Sequence, residues 1–464
     1  TVTDASNPQK PSTGPQALTA ADLDAWLSGF MMTTLQQGKI AGAEVVVVKD
    51  GQVLLKRGYG YADVEAKTPM DPDRNQVRIG SVSKLFAWTA VMQQVEAGKI
   101  DLDADVNRYL DFKLSPPGDR PVTMIDLMTH RGGFEEGLKD VLATDPARLK
   151  TTERYLKENM RPFLFAPGEV PAYSNYGTAL AGYIVERVSG EPYETYVERH
   201  ILKPLRMNDT TLRQPLPARF SKTAAKGYHT SKTAPSPFEL VGTAPAGHVS
   251  ATGADMANFM LAYLQDGRFG DAQILEPETV RLMRESMLET PKGFDSMAYG
   301  FFRGERNGRL VMSHGGDTVV FHSDLNLLPA EGVGIFVSFN SAGENGAVYG
   351  ARDRLLELFL DRYFPAPVAV TPPAIEGAAE DAHAIAGNYD TSRRVETGLI
   401  SLFYLLQQDQ VVANEDGTIS VSSLADKRFR EVSPDLWQEV GGTRQLLVTE
   451  AGGRRAIIDS HNPV

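Results

Sequence analysis

The sequence of 464 residues contains no cysteine. That absence excludes disulfide bridges, thiolate nucleophiles and every metal site or iron–sulfur cluster that needs Cys ligands. The chain also lacks any apolar run of about 18 residues or more, which excludes a membrane-spanning helix. Basic residues are fewer than acidic ones, 47 against 59, and the net charge of −12 disfavours nucleic acid and anionic membranes as partners. Histidines do not recur at the His-x-x-x-His spacing of metal ligands, so we predict neither a metal nor another cofactor.

What is present is an ordinary globular composition, with 42% hydrophobic and 23% charged residues. A chain of this length buries a sizeable core, in one large domain with an insertion or in about three smaller domains. Residues 1–17 are polar, contain prolines and lack a periodic apolar face, so we predict a flexible leader. Because the chain begins at Thr1 rather than Met, we expect export to the periplasm or the medium, although a cytosolic location fits a cysteine-free chain equally well.

Apolar periodicity places strands at both ends of the segment 18–364 and helices between them. Strands are predicted within 43–58 and again within 308–340, whereas the stretch of roughly 100–290 is mainly helical. The fold class predicted for 18–364 is therefore α/β (α+β): an antiparallel sheet flanked by helices, with a helical subdomain inserted between its strands.

Capping signals mark where individual helices begin. Thr19 is followed three residues later by Asp22, and Thr123 by Asp126, a spacing typical of a capping box. A last helix of this segment is predicted over roughly 348–363.

The last hundred or so residues differ from the rest in composition and in predicted secondary structure. Residues 365–384 are rich in proline and lack periodicity, which predicts a linker. Residues 385–464 alternate short β-like runs with glycine turns, which predicts a small antiparallel all-β domain, a barrel or a sandwich. Arg393-Arg394 opens a basic, partly apolar stretch in this part. We interpret the C-terminal part as a lid or spacer packed beside the cleft. The alternative is an ectodomain whose C-terminal membrane anchor has been lost.

The pair Ser81 and Lys84 is the only Ser-x-x-Lys in the chain. Residues i and i+3 share one face of a helix, so the hydroxyl and the amine lie close together at a helix start. A serine hydroxyl becomes a good nucleophile when a base takes its proton, and burial lowers the pKa of a lysine so that it can be that base. By itself the pattern also fits a solvated helix cap with an exposed lysine.

Two further stretches carry polar groups suited to a cleft. Tyr173-Ser174-Asn175 follows a loop and precedes a helix; a phenol there relays protons if nearby cations lower its pKa, and the Asn175 amide binds substrate or Lys84. His314-Gly315-Gly316 lies between two strand-like runs, where glycines let another backbone or an extended substrate approach. Taken singly, each stretch is equally well an ordinary turn.

Together, the order and context of the three motifs resemble one family. The chain resembles the superfamily of class C β-lactamases, penicillin-binding proteins and serine hydrolases, in the branch of S12-type peptidases and esterases related to D-aminopeptidases. The resemblance covers roughly Leu18 to Phe364 and is supported by Leu127 to Gly133 and by Ala166-Pro167-Gly168-Glu169. It implies a β-lactamase-like fold, and some relatives append a small β-barrel, of lipocalin-like type, as 385–464 is predicted to form.

The resemblance also implies roles for individual residues. Ser81 is similar to the nucleophile that forms an acyl-enzyme, and Lys84 to its general base or electrostatic partner. Tyr173 is similar to the tyrosine that passes the proton to the leaving group and activates water for deacylation. Which of Lys84 and Tyr173 takes the first proton stays open.

The substrate-binding residues are likewise implied by the resemblance. Asn175 is similar to a substrate-binding amide, and His314, Gly315 and Gly316 to the strand segment that binds substrate. The oxyanion hole is implied to be the backbone N–H groups of Ser81 and of Asp317.

One departure from the family pattern bears on the substrate. His314-Gly315-Gly316 stands where β-lactamases have Lys-Thr-Gly, and a histidine is charged only at lower pH. We therefore expect a peptidase or amidase acting on a small molecule or peptide, with a carboxylesterase or weak β-lactamase as the alternative. A penicillin-binding sensor or scaffold with negligible turnover is the non-enzymatic alternative. If a charged His314 binds a substrate carboxylate, KM is expected to rise with pH.

Overall fold

The structure is a computed structural model, and it describes residues 15–464 except 138, 288–289, 368–369, 398, 400, 405 and 425–426. Residues 1–14 of the predicted leader lie outside the described residues. At its described end, the Gln16 N–H donates to the carbonyl of Arg362, so this end of the leader contacts the folded part. No described helix is long and apolar enough to cross a membrane.

Helices and strands alternate unevenly along the chain. The helices span Ala20–Gly38 (α1), Lys84–Glu96 (α2), Met124–Met128 (α3), Thr152–Glu158 (α4), Asn175–Ser189 (α5), Tyr193–Val197 (α6), Gly253–Leu264 (α7), Pro277–Leu282 (α8), Ala347–Tyr363 (α9), Ala378–Ile385 (α10) and Ser401–Tyr404 (α11). The strands up to α9 span Gly42–Lys49 (β1), Gln52–Asp63 (β2), Thr68–Pro69 (β3), Val77–Arg78 (β4), Leu142–Ala143 (β5), Leu240–Val241 (β6), Ser250–Ala251 (β7), Arg268–Phe269 (β8), Ala272–Gln273 (β9), Ser296–Met297 (β10), Phe302–Arg306 (β11), Arg309–Asp317 (β12), His322–Leu328 (β13) and Val333–Phe339 (β14).

The main sheet is antiparallel and has the strand order β10-β11-β12-β13-β14-β1-β2-β3. Strand β1 pairs with β14, with Ala43 opposite Phe339 and Lys49 opposite Val333, so strands distant in sequence close one sheet. The helices α2 to α8 are inserted between β3 and β10 in the sequence. The predicted α/β (α+β) class, an antiparallel sheet with a helical part inserted between its strands, is therefore confirmed.

Strand β1 is buried along almost its whole length because both faces of the sheet are covered. Val45 and Val47 belong to the core that also contains residues of α1 and α9. Val46 and Val48 point the other way, into the core formed with the inserted helices. The alternation of side chains along a strand thus divides one run of valines between two cores.

A second antiparallel sheet forms the C-terminal part of the chain. Its strands pair in sequential order and form a nearly closed barrel: Gly387–Tyr389 (β15), Asp409–Ala413 (β16), Ile419–Val421 (β17), Phe429–Ser433 (β18), Leu436–Glu439 (β19), Gln445–Ala451 (β20) and Arg454–Asp459 (β21). Its core contains Val411, Phe429, Trp437 and Leu446.

The predicted linker differs from the structure at its C-terminal end. Residues 378–385 form helix α10, and the buried side chains of Ala382 and Ile385 pack in the core of the C-terminal sheet. The helix was not predicted for two reasons. The residues before it are rich in proline, and the apolar face of so short a helix repeats only twice. Residues 368–369 of the predicted linker lie outside the described residues.

Candidate active site

Ser81 lies in a single 3-10 turn, Gly80–Ser83, that leads directly into α2. The turn places the Ser81 Oγ 2.9 Å from the Nζ of Lys84, the first residue of α2. The i, i+3 spacing predicted from the sequence therefore brings these two groups into hydrogen-bonding contact.

Lys84 is completely buried, and its amine has three neighbours. Its Nζ lies 2.7 Å from the Oδ1 of Asn175 and 3.0 Å from the carbonyl oxygen of Ala246, in addition to the Ser81 Oγ. Burial, and then the positive charge of Arg393, lower the pKa of Lys84 well below its ordinary value. A neutral amine has two hydrogens and one lone pair. The two oxygens that can only accept take the hydrogens, which leaves the lone pair for the Ser81 hydroxyl.

Tyr173 precedes α5, whose N-cap residue Ser174 accepts a hydrogen bond from the N–H of Gly177. The Tyr173 ring centre lies 4.7 Å from the Lys84 Nζ, and the ring stacks on His130 at a centroid distance of 4.3 Å. Burial raises the pKa of Tyr173, although a hydrogen bond with Ser81 and the charge of Arg393 act in the opposite direction. The phenol is therefore protonated at neutral pH, and the expected lowering of its pKa is contradicted.

His314, on β12, is fully buried beside the Tyr173 ring, at 6.5 Å between ring centres. Its Nδ1 lies 2.7 Å from the carbonyl oxygen of Gly315, so Nδ1 carries the proton and donates it. Burial, and then the neighbouring Lys84, lower the pKa of His314 to about 3. The ring is therefore neutral near physiological pH, and the structure contradicts the expectation of a charged His314 that binds a carboxylate.

The 3-10 turn and the end of β12 approach each other through glycines. A Cβ on Gly316 would lie 2.9 Å from the Ser81 nitrogen, and one on Gly80 would lie 2.5 Å from the Asp317 nitrogen. Gly80 also has a φ of +51°, which favours glycine. The residues predicted to form the oxyanion hole thus lie on two backbone segments in direct contact.

The Asp317 carboxylate has two hydrogen-bonding partners. Its Oδ1 lies 2.7 Å from the His322 Nδ1 and accepts from the Arg352 Nη1 at 3.0 Å. Burial raises the pKa of Asp317, but these two partners lower it by more and hold it below its usual value. Arg352 also donates to the carbonyl of Ser323, which fixes the guanidinium against β13.

Two groups at the site were missed by the sequence reasoning about chemistry. Arg393, from the C-terminal part of the chain, places its guanidinium carbon 4.8 Å from the centre of the Tyr173 ring. Its Nε donates to the buried Glu136 carboxylate at 2.8 Å. The feature of the sequence that could have pointed to this contact was the basic pair Arg393-Arg394. Its predicted packing beside the cleft is confirmed for Arg393, but no local pattern pointed to contact with Tyr173.

The chemistry that this arrangement supports is proton transfer and nucleophilic attack. It combines a half-buried serine hydroxyl, a buried amine, a protonated phenol and clustered backbone N–H groups. Among the described residues, no group of three or more His, Asp or Glu side chains is arranged to hold a metal ion.

Two solved structures share this architecture. The octameric penicillin-binding protein homologue from Pyrococcus abyssi aligns with a TM-score of 0.63 and 22% identity over 94% of this chain and 95% of its own. SurE, solved with D-Leu, aligns with a TM-score of 0.64 and 20% identity over 94% of this chain and 99% of its own. At these identities the similarity shows the fold alone.

Curated relatives match part of the sequence. Protein flp of Staphylococcus aureus (strain MW2) is 32% identical over 184 residues, which are 39% of this chain and 36% of the relative. Esterase EstB of Burkholderia gladioli is 32% identical over 233 residues, 47% of this chain and 58% of the relative. The matches therefore span less than two thirds of each relative's own length.

A family model described as Beta-lactamase matches residues 23–359. The matched range is most of the chain and contains the Ser-x-x-Lys turn, the Tyr173 loop and β12. The predicted membership of the beta-lactamase-like superfamily is thereby confirmed, and this protein belongs to the beta-lactamase family.

Proposed function

We propose that the protein is a serine hydrolase that forms an acyl-enzyme at Ser81 and acts on amide or peptide bonds. The hydrolase fold of the family and the esterase relative support the reaction class. The observation that carries the proposal is the Lys84 amine, which is buried, lies 2.9 Å from the Ser81 Oγ and has its other two contacts to acceptor oxygens.

In the acylation step, the Ser81 hydroxyl gives its proton to the neutral Lys84 amine while Oγ attacks the substrate carbonyl carbon. The carbonyl oxygen becomes an oxyanion, which the N–H groups of Ser81 and Asp317 stabilise. Gly80 and Gly316 matter here because only glycine lets these two backbones lie so close.

Collapse of the tetrahedral intermediate breaks the bond to the leaving group. The Tyr173 phenol gives its proton to the departing nitrogen or oxygen, and the Lys84 ammonium then restores the phenol's proton. The net result is the transfer of one proton from Ser81 to the leaving group, with Lys84 and Tyr173 returned to their starting states. In the second half of the reaction, water attacks the acyl carbon while the Lys84 amine takes a proton from it. Collapse of this second tetrahedral intermediate breaks the bond to the Ser81 Oγ, which recovers that proton as the acid is released.

A protonated Tyr173 favours amides as substrates. An amine leaves as a neutral molecule only when it is protonated, whereas an activated ester releases its alcohol with less help. The position of this protonated phenol, in a hydrogen bond with Ser81, is therefore the feature that supports a peptidase or amidase over a simple esterase.

A carboxylesterase is the second candidate. The similarity to Esterase EstB, which is 32% identical over 47% of this chain, favours it. A weak β-lactamase uses the same groups, but the neutral His314 supplies no cation for the β-lactam carboxylate.

Labelling of Ser81 tests the proposed nucleophile. We expect a fluorophosphonate to add one covalent adduct to the wild-type protein in intact mass spectrometry, and Ser81→Ala to abolish it. Hydrolysis of p-nitrophenyl esters and aminoacyl amides should fall at least about a thousandfold in Ser81→Ala, while the exposed Ser115→Ala control retains both properties.

Two results would contradict the proposal. An adduct that persists in Ser81→Ala would place the nucleophile elsewhere. An acyl-enzyme from esters, amides and a chromogenic cephalosporin that lasts for hours without turnover would instead identify a sensor or scaffold.

A further inference from the structure

His130 follows helix α3 in a backbone conformation that favours glycine, with a φ of +55°. Its N–H donates to the carbonyl of Leu127, and the N–H of Arg131 donates to the carbonyl of Asp126. These are the two hydrogen bonds of a Schellman motif, in which glycine usually occupies the position of His130. A histidine at so unfavourable a position points to a function of its side chain.

The backbone on both sides of Tyr173 is bound by His130. The His130 carbonyl accepts a hydrogen bond from the N–H of Ala172 at 2.8 Å, and the ring Nδ1 accepts one from the N–H of Ser174 at 3.1 Å. Between these two bonds the imidazole stacks on the Tyr173 ring, with 4.3 Å between centroids and 27° between ring planes. Three contacts from one residue therefore hold Tyr173, both by its flanking backbone and by its ring.

The imidazole of His130 can make these contacts because it is neutral. The residue is 1% exposed, and burial, followed by the charge of Lys84, lowers its pKa well below the ordinary value. Because Nδ1 accepts from the Ser174 N–H, the ring proton is on Nε2. A charged ring would carry a hydrogen on Nδ1 as well and would lose this hydrogen bond.

The position of the Tyr173 phenol matters because a proton moves only over a short distance. The Tyr173 ring lies 4.7 Å from the Lys84 Nζ, and its phenol is in a hydrogen bond with Ser81. Tyr173 precedes the N-cap residue of α5, so the hydrogen bonds of that helix do not fix its ring. A shift of the ring by about 1 Å would be enough to slow proton transfer to the leaving group.

We propose that His130 is the positioning residue of Tyr173, and that it holds the phenol where it can protonate the leaving group. This inference rests on the proposed function, because it takes the role of Tyr173 from there. His130 transfers no proton itself. Its Nδ1 is bound to the Ser174 N–H, and its Nε2 has no hydrogen-bond partner among the described residues.

Two esters with the same acyl group test this proposal. Both p-nitrophenyl butyrate and ethyl butyrate form a butyryl-enzyme, but p-nitrophenolate leaves readily without a proton, whereas ethoxide does not. The measured quantity is the ratio of kcat/KM for ethyl butyrate to kcat/KM for p-nitrophenyl butyrate, determined by pH-stat titration. His130→Leu removes both the acceptor and the stacked ring, so we expect it to lower this ratio about tenfold or more.

A second variant keeps part of the contact. Asparagine adopts positive φ values more readily than most residues, and its Oδ1 can accept from the Ser174 N–H. His130→Asn therefore retains an acceptor and loses the stacked ring. We expect its ratio to lie between those of wild type and His130→Leu, and the same comparison is made with His130→Asn alone if His130→Leu does not fold.

The matched control is a histidine that stacks on a tyrosine away from Ser81. His200 stacks on Tyr196 with 4.4 Å between ring centroids and 33° between planes. The Tyr196 hydroxyl donates to Gln93, which lies on α2 roughly 13 Å along the helix axis from Lys84. His200→Asn should therefore leave the ratio unchanged.

A double-mutant cycle separates the positioning of the phenol from general damage to the site. Tyr173→Phe removes the phenol and should itself lower the ratio. In that background no phenol remains to be positioned, so His130→Leu, or His130→Asn in its place, should lower the ratio no further.

The positioning proposal is overturned if a His130 variant that still labels at Ser81 with a fluorophosphonate keeps the wild-type ratio. It is also overturned if that variant lowers the ratio as much in the Tyr173→Phe background as in wild type, or if His200→Asn lowers it equally. Absence of labelling at Ser81 together with absence of ester turnover in wild type is a different result, and it refutes the proposed hydrolase itself.

Discussion

A lysine acts as a base only while its amine is uncharged, and the surroundings of Lys84 favour that state. Burial removes the water that would stabilise an ammonium ion, and Arg393 adds repulsion, so the pKa of Lys84 is lowered. Asn175 and the carbonyl of Ala246 then orient the amine towards Ser81. At the residue scale, Asn175 therefore aligns the base. That is one of the two uses the sequence left open for its amide.

The role of Lys84 can be checked through the pH dependence of the reaction. Since the deprotonated amine is the active form, kcat/KM should rise as pH increases through the lowered pKa of Lys84. Lys84→Arg carries a permanent charge, so we expect it to lose about a hundredfold to ten-thousandfold in kcat/KM at every pH. Steady-state rates with a neutral ester, measured across the pH range, test both. A Lys84→Arg variant that keeps the wild-type profile would exclude Lys84 as the base.

The carboxylate of Asp317 poses a second problem at this scale, because it belongs to a residue whose N–H is proposed to bind an oxyanion. Arg352 and His322 bind this carboxylate and offset its charge. We expect Arg352→Gln to lower kcat about tenfold, equivalent to ~1.4 kcal/mol in activation free energy, with a smaller change in KM.

A double-mutant cycle separates this charge effect from general damage at Arg352. In an Asp317→Asn background no carboxylate remains to be offset, so Arg352→Gln should cost much less there. An equal loss in both backgrounds would mean that Arg352 acts through packing on β13.

At the scale of elements, the site depends on one contact between the 3-10 turn at 80–83 and the end of β12. A Cβ on Gly316 would lie 2.0 Å from the carbonyl oxygen of Ile79, as well as close to the Ser81 nitrogen. These atoms are backbone, so they have little freedom to move aside. The contact sets the distance between the two proposed oxyanion-binding N–H groups.

Gly316→Ala should therefore separate the turn from β12. We expect it to lower the free energy of unfolding by about 1–3 kcal/mol, as overpacking does, and to reduce ester hydrolysis strongly. Urea unfolding and rates measure the two effects. Gly350→Ala is the matched control: nothing lies within 4 Å of its Cβ, and alanine in helix α9 should stabilise by about 0.5–1 kcal/mol. Equal stability of the Gly316→Ala variant and wild type would contradict the tight contact.

The features that could be predicted from the sequence are those formed by residues close together in the chain. The Thr19 cap and the capping box of Thr123 and Asp126 form as predicted, because each involves residues three apart. The Ser81–Lys84 contact has the same local origin. The charge states of His314 and Tyr173 could not be predicted, since burial by distant segments decides them. Whether a side chain is buried is a property of the folded chain as a whole.

At the scale of the molecule, the C-terminal part is joined to the catalytic site by a few specific contacts. Glu135 and Glu136 bind the segment around Arg393, and the Glu136 side chain is buried. Removing one partner of such a pair leaves a buried charge without compensation, which is costly. The two sheets therefore act together in forming one cleft, although each has its own core.

The anchoring by Glu135 can be measured with trypsin, which cleaves after arginine and needs a mobile substrate segment. Glu135→Ala removes the acceptor for the Thr397 N–H and hydroxyl, so the bonds after Arg393 and Arg394 should be cut faster than in wild type. The same variant should hydrolyse esters more slowly, because Arg393 is no longer held at Tyr173. Glu153→Ala, which removes an exposed ion pair with Lys157 on α4, is the control and should change neither property. If Glu135→Ala and wild type are cleaved at equal rates, the segment is held by contacts other than Glu135, and the cleft does not depend on this anchor.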